Sequence, residues 1–314
     1  MNVLVTGASG FVGKAFVERF AGDGEMRIHG IGRRPSSEPW YSAIDLSQPF
    51  DLAFRPDVVV HCAARSSPWG TRAEFEAANV EATRNVIAFC ERSGMPRLVH
   101  VSTTAVFYAN RDQLDLTEES PIGPTFVNAY AATKRAAELL VQRYAGSWII
   151  LRPRAVFGPG DTTLFPRIER AARAGRLPLL RRAGAPARSD LIYVDTLCDY
   201  IAAAARSALT GAYNLTNAEP VETQAFLLDV LHRLGVPPPA RSVDARLAFA
   251  LAGALETGYR FASPHREPPV TRFGIAALAY SKTFDVRNAV AAFGPPSVSM
   301  DEGVEHFVRW ARAS

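Results

Sequence analysis

The sequence is poor in lysine and cysteine and has no long apolar run. Of its 35 lysine and arginine residues, three are lysines and the other 32 are arginines. The three cysteines, Cys62, Cys90 and Cys198, lack the spacing of a metal site, and their odd number argues against a disulfide framework. The most apolar stretch, residues 247–255, is too short to span a bilayer. We therefore expect a reducing compartment, no metal site and no membrane span.

The rest of the composition is typical of a soluble globular protein. The chain has 314 residues, of which 48% are hydrophobic and 21% charged. This length is enough for one large α/β domain, or for a domain with an appended smaller lobe. The net charge of +4 is small and dispersed, so it does not favour a nucleic-acid partner. A strand pattern begins directly after Met1 and leaves no room for a signal peptide, which predicts a cytoplasmic protein.

Short apolar runs alternate with helical patterns in the first half of the chain. Continuous Val, Leu and Ile runs are typical of parallel strands covered on both faces, and their alternation with helices indicates βαβ units. We predict an α/β fold whose doubly wound parallel sheet occupies residues 1–158, with returns near residues 188–216. Beyond it, Pro- and Gly-rich breaks predict a smaller, mostly helical and discontinuous substrate lobe in residues 159–314. The predicted strands are residues 3–6, 27–31, 58–61, 98–102 and 148–151, and the predicted helices are 12–20, 74–91 and 128–144.

Three glycines connect the first predicted strand to the first predicted helix. Glycine at positions 7, 10 and 13 permits a tight turn, close approach of the backbone to a pyrophosphate, and tight contact between helix and strand. The free N–H groups of the helix N-terminus favour phosphate. A mere turn would not need three glycines in this context, so we predict a dinucleotide site formed by Gly7, Ser9, Gly10, Phe11, Val12 and Gly13.

The second predicted strand is followed by arginines where an NAD-binding chain carries an acid. An acidic side chain there would bond the ribose 2′-hydroxyl of NAD, whereas guanidinium groups suit a 2′-phosphate. Arg33 and Arg34 occupy this place, so the sequence favours NADP(H) over NAD(H). The alternative is that one or both arginines simply face solvent.

Tyr130 and Lys134 form a Tyr-x-x-x-Lys pair in a chain with few lysines. Residues four apart share one face of a helix, so a phenol and an ammonium group can reach one ligand. A nearby positive charge favours the phenolate, and the tyrosine then becomes a usable acid and base. Taken alone, the pair favours the plainer interpretation, an exposed tyrosine and lysine on an amphipathic helix.

Together with further segments, these motifs resemble an extended short-chain dehydrogenase/reductase of the NAD-dependent epimerase/dehydratase group. The matching segments follow the family's order along nearly the whole chain; they are residues 6–13, 45–46, 61–64, 79, 101–107, 130–134, 151–158 and 188–195. The resemblance implies a Rossmann fold and a homodimer through helices 74–91 and 128–144.

The same resemblance implies a catalytic triad. Tyr130 would exchange a proton with the alcohol, Thr103 would hydrogen-bond the substrate oxygen, and Lys134 would hold the nicotinamide ribose and lower the pKa of Tyr130. Hydride would pass between the nicotinamide and a carbinol or carbonyl carbon. The remaining cofactor contacts implied are Asp45 and Leu46 by the adenine, Ala63 and Ala64 along the cofactor, and Pro153 and Val156 by the nicotinamide.

Departures from the family pattern reduce the number of reactions that we expect this chain to catalyse. Sugar-nucleotide dehydratases carry an acidic pair after the catalytic threonine, but Thr104 and Ala105 follow here, so dehydration is disfavoured. Epimerases of this group usually carry an acidic residue after the second strand, where this chain has Arg33 and Arg34. A nucleotide-sugar epimerase with bound NAD stays the first alternative, and a non-catalytic NADP-sensing protein the second.

The C-terminal lobe favours a hydrophobic substrate. Residues 268–285 resemble the matching region of 3β-hydroxysteroid dehydrogenase-like members, and with residues 247–255 they supply apolar helices that could wall a pocket. The alternative is that these helices only form the core of the lobe. We predict a ketoreductase acting on an apolar small molecule, with Trp69, Thr104 and Arg188 as candidate substrate residues.

Overall fold

A computed structural model of the protein describes residues 1–22 and 24–313. Its strands are β1 (Asn2–Thr6), β2 (Arg27–Gly32), β3 (Tyr41–Ala43), β4 (Val58–His61), β5 (Arg97–Val101), β6 (Gln113–Leu116), β7 (Trp148–Pro153), β8 (Val156–Phe157), β9 (Leu179–Arg181), β10 (Arg188–Ser189), β11 (Ile192–Tyr193), β12 (Gly211–Leu215), β13 (Val221–Glu222), β14 (Ser242–Asp244) and β15 (Lys282–Phe284).

Its α-helices are α1 (Phe11–Phe20), α2 (Arg72–Phe75), α3 (Ala82–Arg92), α4 (Ala129–Val141), α5 (Phe165–Arg173), α6 (Val194–Arg206), α7 (Thr223–Arg233), α8 (Ala245–Ala262), α9 (Arg272–Ala279), α10 (Arg287–Phe293) and α11 (Met300–Ala313). A π-helical segment, Glu76–Glu81, joins α2 to α3, and a short 3-10 turn, Thr104–Phe107, follows β5. Among the described residues, no helix combines the length and apolarity needed to cross a membrane.

The main sheet has seven strands in the order β12-β7-β5-β4-β1-β2-β3, and every neighbouring pair is parallel. The five predicted strands all lie in it. The strand order changes direction between β1 and β4, and ligands of open α/β sheets bind at the carboxyl ends of the strands near such a point. We therefore expect the site at the edge of the sheet where the carboxyl ends of β1, β4, β5 and β7 lie.

Alternate residues of each strand enter two separate hydrophobic clusters. Val3 and Val5 pack in the cluster that contains residues of α1 and α6, whereas Leu4 packs in the cluster that contains residues of α3 and α4. A sheet that is apolar on both faces must be covered on both, and this is why its strands read as continuous apolar runs. The predicted doubly wound α/β class is confirmed.

The second half of the chain returns to this sheet before it completes the smaller lobe. β12 pairs with β7 at the edge of the main sheet. β6, from the first half, pairs with β15 in a four-stranded sheet of order β13-β10-β15-β6. A third apolar cluster joins α8 and α9 through Ala248, Ala252 and Ile275. The small sheet and these helices stand beyond the carboxyl ends of β5 and β7.

Candidate active site

The glycine loop is packed too closely for a side chain at Gly7 or Gly13. Gly7 has φ +69°, and a Cβ on it would lie 2.8 Å from Cα of Ala63. A Cβ on Gly13 would lie 2.3 Å from the carbonyl oxygen of Gly7. Gly10 donates its N–H to that same oxygen at 2.8 Å, and no side chain caps α1. Because the first N–H groups of α1 lack a side-chain partner, this loop fits the diphosphate of a dinucleotide.

Ser9 and Arg34 connect the loop to the end of β2. The guanidinium group of Arg34 donates to the carbonyl oxygen of Ser9, and the hydroxyl of Tyr41 donates to the carbonyl oxygen of Arg34 at 2.8 Å. Arg33 and Arg34 are both exposed. The end of β2 therefore presents positive charge beside the loop, and Gly32-Arg33-Arg34 contains no acid.

The other candidate cofactor residues lie at the ends of strands. Asp45 is exposed and accepts a hydrogen bond from the backbone of Ser47 at 3.0 Å, whereas Leu46 is buried. The remaining candidate cofactor residues lie at or after the ends of β4 and β7. Ala63 is partly buried against Gly7, and Ala64 is exposed. Pro153 is buried, and Val156 is partly buried in β8.

Tyr130 lies in the first turn of α4, which Asn128 caps by accepting the N–H of Ala131 at 2.9 Å. Its side chain is partly exposed and meets the hydroxyl groups of Thr103, after β5, and Ser66, after β4. Burial raises the pKa of Tyr130, and these two hydroxyls offset only part of that rise. The structure thus brings the predicted Tyr130 and Thr103 together, and it adds Ser66, which the sequence analysis missed.

Lys134 lies one turn further along α4 and is almost fully buried. Its ammonium group donates to the carbonyl oxygen of Val101 at 2.8 Å and lies 3.4 Å from Nε2 of His100. Burial lowers the pKa of Lys134 to about 8, against the opposing effect of Glu138. In this structure burial has the largest effect on the pKa of Tyr130, and Lys134 contacts the end of β5. That Lys134 lowers the pKa of Tyr130 stays a prediction.

A buried chain of polar groups runs behind Lys134. The rings of His100 and His61 lie 5.2 Å apart, and His61 bonds the hydroxyls of Thr6 at 2.7 Å and Thr83 at 3.0 Å. Burial, followed by the charge of Lys134, lowers the pKa of His61 to about 3 and that of His100 well below its usual value. Both imidazoles are therefore neutral at pH 7. Histidines inside otherwise apolar strands were the sequence signal for this network.

Glu138 is a second buried charged residue of α4. Glu138 accepts hydrogen bonds from Ser102 at 2.6 Å, from Arg135 at 2.9 Å, and from two nitrogens of Arg152 at 2.9 Å each. Burial raises the pKa of Glu138, but these partners outweigh it, so the pKa is lowered overall. Ser102 is thus committed to Glu138, which leaves Thr103 as the hydroxyl that faces Tyr130.

The three candidate substrate residues lie in different surroundings. Thr104 is buried, and its hydroxyl lies 3.5 Å from that of Tyr108. Trp69 is also buried and donates from its indole to the carbonyl oxygen of Pro264, so it packs beneath the loop between α8 and α9. Arg188 is exposed on β10 and donates to a backbone carbonyl. No contact brings Arg188 to Tyr130 in the described residues.

Comparison with known proteins agrees with this geometry. The profile of the NAD dependent epimerase/dehydratase family matches residues 3–216. The chain is 32% identical to the 2-alkyl-3-oxoalkanoate reductase of Shewanella oneidensis, over 97% of this chain and 84% of that protein. It is 30% identical to the protein of the same name from Stenotrophomonas maltophilia, over 97% of both chains.

Among solved structures, MoeE5 in complex with UDP-glucose and NAD has a TM-score of 0.76, covering 100% of this chain and 99% of that one. At 22% identity this likeness shows the fold alone. The sequence relatives and the family profile confirm the predicted resemblance. The chain belongs to the NAD dependent epimerase/dehydratase family and is an NAD(P)-dependent oxidoreductase of the extended short-chain dehydrogenase/reductase type.

Proposed function

We propose that this protein is an NADP(H)-dependent ketoreductase that interconverts a ketone and a secondary alcohol on a hydrophobic small molecule. The observation that carries the proposal is the grouping at the start of α4. The phenol of Tyr130 meets the hydroxyls of Thr103 and Ser66, and Lys134 is buried one turn away. A proton donor and a hydrogen-bond donor then converge where a carbonyl oxygen can be bound.

Each of these residues has a distinct role. The cofactor supplies or accepts the hydride. Tyr130 donates its proton to the oxygen of the ketone, and the burial that raises its pKa keeps that proton in place near neutral pH. Thr103 hydrogen-bonds the same oxygen. Lys134 uses Val101 as one acceptor, and since an ammonium group has three donors, it can also hold a ribose hydroxyl.

Two observations support an apolar substrate. Phe273 of α9 stacks on Tyr108 with ring centroids 6.2 Å apart, so the C-terminal lobe places an aromatic ring above the residues that follow β5. Two relatives of this chain are named as reductases of 2-alkyl-3-oxoalkanoates, which are carboxylates that carry a ketone and alkyl chains. A ketone with alkyl chains is therefore the substrate that we favour over a nucleotide sugar.

The preference for NADP(H) is supported by charge at the end of β2. Arg34 contacts the glycine loop at Ser9, and Arg33 precedes it in the chain. Residues 32–34 contain no acidic side chain that would bond the ribose hydroxyls of NAD. Guanidinium groups bind phosphate through paired hydrogen bonds, and this suits the 2′-phosphate of NADP(H).

The test is oxidation of NADPH and of NADH by the purified protein with a panel of alkyl ketones, steroid ketones and 4-keto sugars. We expect turnover with NADPH and an alkyl ketone, and at least about a hundredfold loss in Tyr130→Phe, because a general acid contributes that much. The double variant Arg33→Gln with Arg34→Gln should bind NADPH more weakly than the wild-type protein does, and should bind NADH equally well. Arg143→Gln, an exposed residue near the end of α4, is the matched control. Tightly bound NAD with no net consumption of cofactor would instead identify an epimerase.

A further inference from the structure

Helix α8 is apolar on the side that points to solvent as well as on the side that is buried. Its buried side contains Ala248 and Ala252, which pack in the third apolar cluster against α9. On the other side, Leu247 and Leu251 are each 55% exposed, and Leu255 is 41% exposed. A helix that is apolar all round is normally covered on every side. In the described part of the chain, nothing covers the solvent side of α8.

The exposed apolar residues of α8 form one continuous surface. Successive residues of an α-helix are turned by about 100°, so residues four apart lie side by side. Two adjacent rows with this spacing and the terminal Phe261, which is 88% exposed, make up what we call the α8 face. The α8 face consists of Leu247, Leu251, Leu255, Ala250, Ala254, Gly258 and Phe261. These residues are all exposed, and none of them carries a charged or polar side chain.

Exposed arginines stand at both ends of the α8 face. Arg246 lies in the first turn of α8 and Arg260 in the last turn. Arg241 lies four residues before the helix begins, and Arg266 lies four residues after it ends. An arginine can lay its aliphatic stem along apolar surface while its guanidinium group stays in a polar layer. The ends of the face therefore carry positive charge at the boundary of the apolar surface.

The acidic residues close to these arginines are already bonded. Their partners are the first N–H groups of α8 for Asp244, His265 for Glu74, Arg272 for Glu256, and Arg167 of α5 for Glu267. Segments 164–188 and 241–272, which contain α5 and α8, hold twelve arginines and four acidic residues. The net charge of the whole chain is only +4, so positive charge is concentrated in this part of the sequence.

The charge pattern distinguishes between the possible coverings of the α8 face. Two copies of α8 packed face to face would bring arginines against arginines in either orientation, because both ends of the helix are basic, and like charges repel. Anionic lipid headgroups attract arginines close to a membrane surface, by about fivefold in affinity for each one. An exposed apolar helix face with arginines and a phenylalanine at its ends is typical of a helix that lies in the membrane interface.

We propose that the protein docks on an anionic membrane surface through the α8 face, with Leu251 and Phe261 entering the boundary between headgroups and acyl chains. The opposite side of α8 packs on α9, whose Phe273 stacks on Tyr108. Docking therefore holds the C-terminal lobe against the lipid, where apolar compounds collect. The α8 face lies outside the candidate active site, and membrane docking does not depend on the proposed ketoreductase function.

The test is co-sedimentation of the full chain with lipid vesicles. Wild-type protein should bind vesicles of phosphatidylcholine mixed with phosphatidylglycerol at least about tenfold more tightly than vesicles of phosphatidylcholine alone. The double variant Leu251→Ser with Phe261→Ser keeps the charge and should bind the anionic vesicles at least about tenfold more weakly, because it has less apolar surface to bury. Leu209→Ser is the matched control and should bind like wild type. Leu209 is 37% exposed and precedes β12, at the amino end of that strand.

Two results of this experiment would overturn the proposal. Wild-type protein that sediments with neither kind of vesicle would do so, and this comparison needs no variant to fold. Unchanged binding of the double variant to anionic vesicles would do so too, because the arginines alone would then hold the protein at the surface.

Size-exclusion chromatography covers the competing explanation. A wild-type dimer that the double variant converts to a monomer, without vesicle binding, would assign the α8 face to a second copy of the chain. Oxidation of NADPH with ketones is a separate assay, so the failure of either proposal leaves the other standing.

Discussion

Glu138 and Arg152 form a two-point ion pair inside the protein, with both N–O distances at 2.9 Å. Glu138 is fully buried and lies one helical turn after Lys134, while Arg152 is in β7. The same carboxylate accepts the hydroxyl of Ser102 at the end of β5. One acidic side chain thus ties α4 to two neighbouring strands, and this fixes the position of Tyr130 relative to Thr103.

Removing the acid from this pair should destabilise the fold. Glu138→Leu is expected to lower the free energy of unfolding by about 3–5 kcal/mol, because it leaves Arg152 buried without a counter-charge. The double variant with Arg152→Met should recover much of the loss, since no unpaired charge is then buried. Urea denaturation measures both. Glu81→Gln breaks an exposed pair with Arg84 and should cost under about 1 kcal/mol. Equal losses for Glu138→Leu and Glu81→Gln would contradict this role.

A methyl group on Gly13 should disrupt the cofactor loop. A Cβ there would lie 2.3 Å from the carbonyl oxygen of Gly7, so the backbone must move away from the position that suits the diphosphate. Gly13→Ala should weaken NADPH binding, measured by calorimetry, and cost about 1–3 kcal/mol of stability through overpacking. Gly22→Ala is the matched control, because a Cβ on Gly22 would meet nothing within 4 Å. Unchanged NADPH affinity in Gly13→Ala would remove this loop from the cofactor site.

The parts of the fold that depend on local pattern were predictable from the sequence. The first strand, the glycine loop and the start of α4 follow from apolar runs, glycine spacing and helical periodicity, which act between residues close in the chain. The predicted strand 27–31 matches β2, and the predicted helix 128–144 matches α4 with its N-cap at Asn128.

The contacts of the site depend on residues distant in the chain and were not predictable. Periodicity places Lys134 on one face of α4, but it does not show that the ammonium group meets Val101 of β5, 33 residues earlier. Nor does it show that Arg152 pairs with Glu138 or that Arg154 lies against Tyr108. These pairings follow from strand order and register, which the tertiary fold sets.

Reduction should slow as pH rises through about 8. Lys134 has its pKa lowered by burial to about 8, so its ammonium group loses its charge above that pH and can no longer hold the ribose as a cation. Tyr130 has its pKa raised and stays protonated across this range, so the decline is set by Lys134. A pH profile of kcat/KM for the ketone measures this. Lys134→Arg should move the decline to higher pH, because guanidinium stays charged. A decline below pH 7 would contradict the assignment.

Substitutions of the adjacent residues Ser102 and Thr103 should differ in their effects on catalysis and on stability. Thr103→Ala is expected to lower kcat by about a hundredfold or more, the usual effect of removing one donor to a reacting oxygen. Ser102→Ala should lower kcat far less, but it should cost about 1.5–3 kcal/mol of stability because its hydroxyl bonds the charged Glu138 at 2.6 Å. Thr103→Ser keeps the hydroxyl and the hydrogen bond from Ala105, so it should keep most of the activity. If Ser102→Ala abolished turnover and Thr103→Ala did not, the catalytic hydroxyl would have to be reassigned to Ser102.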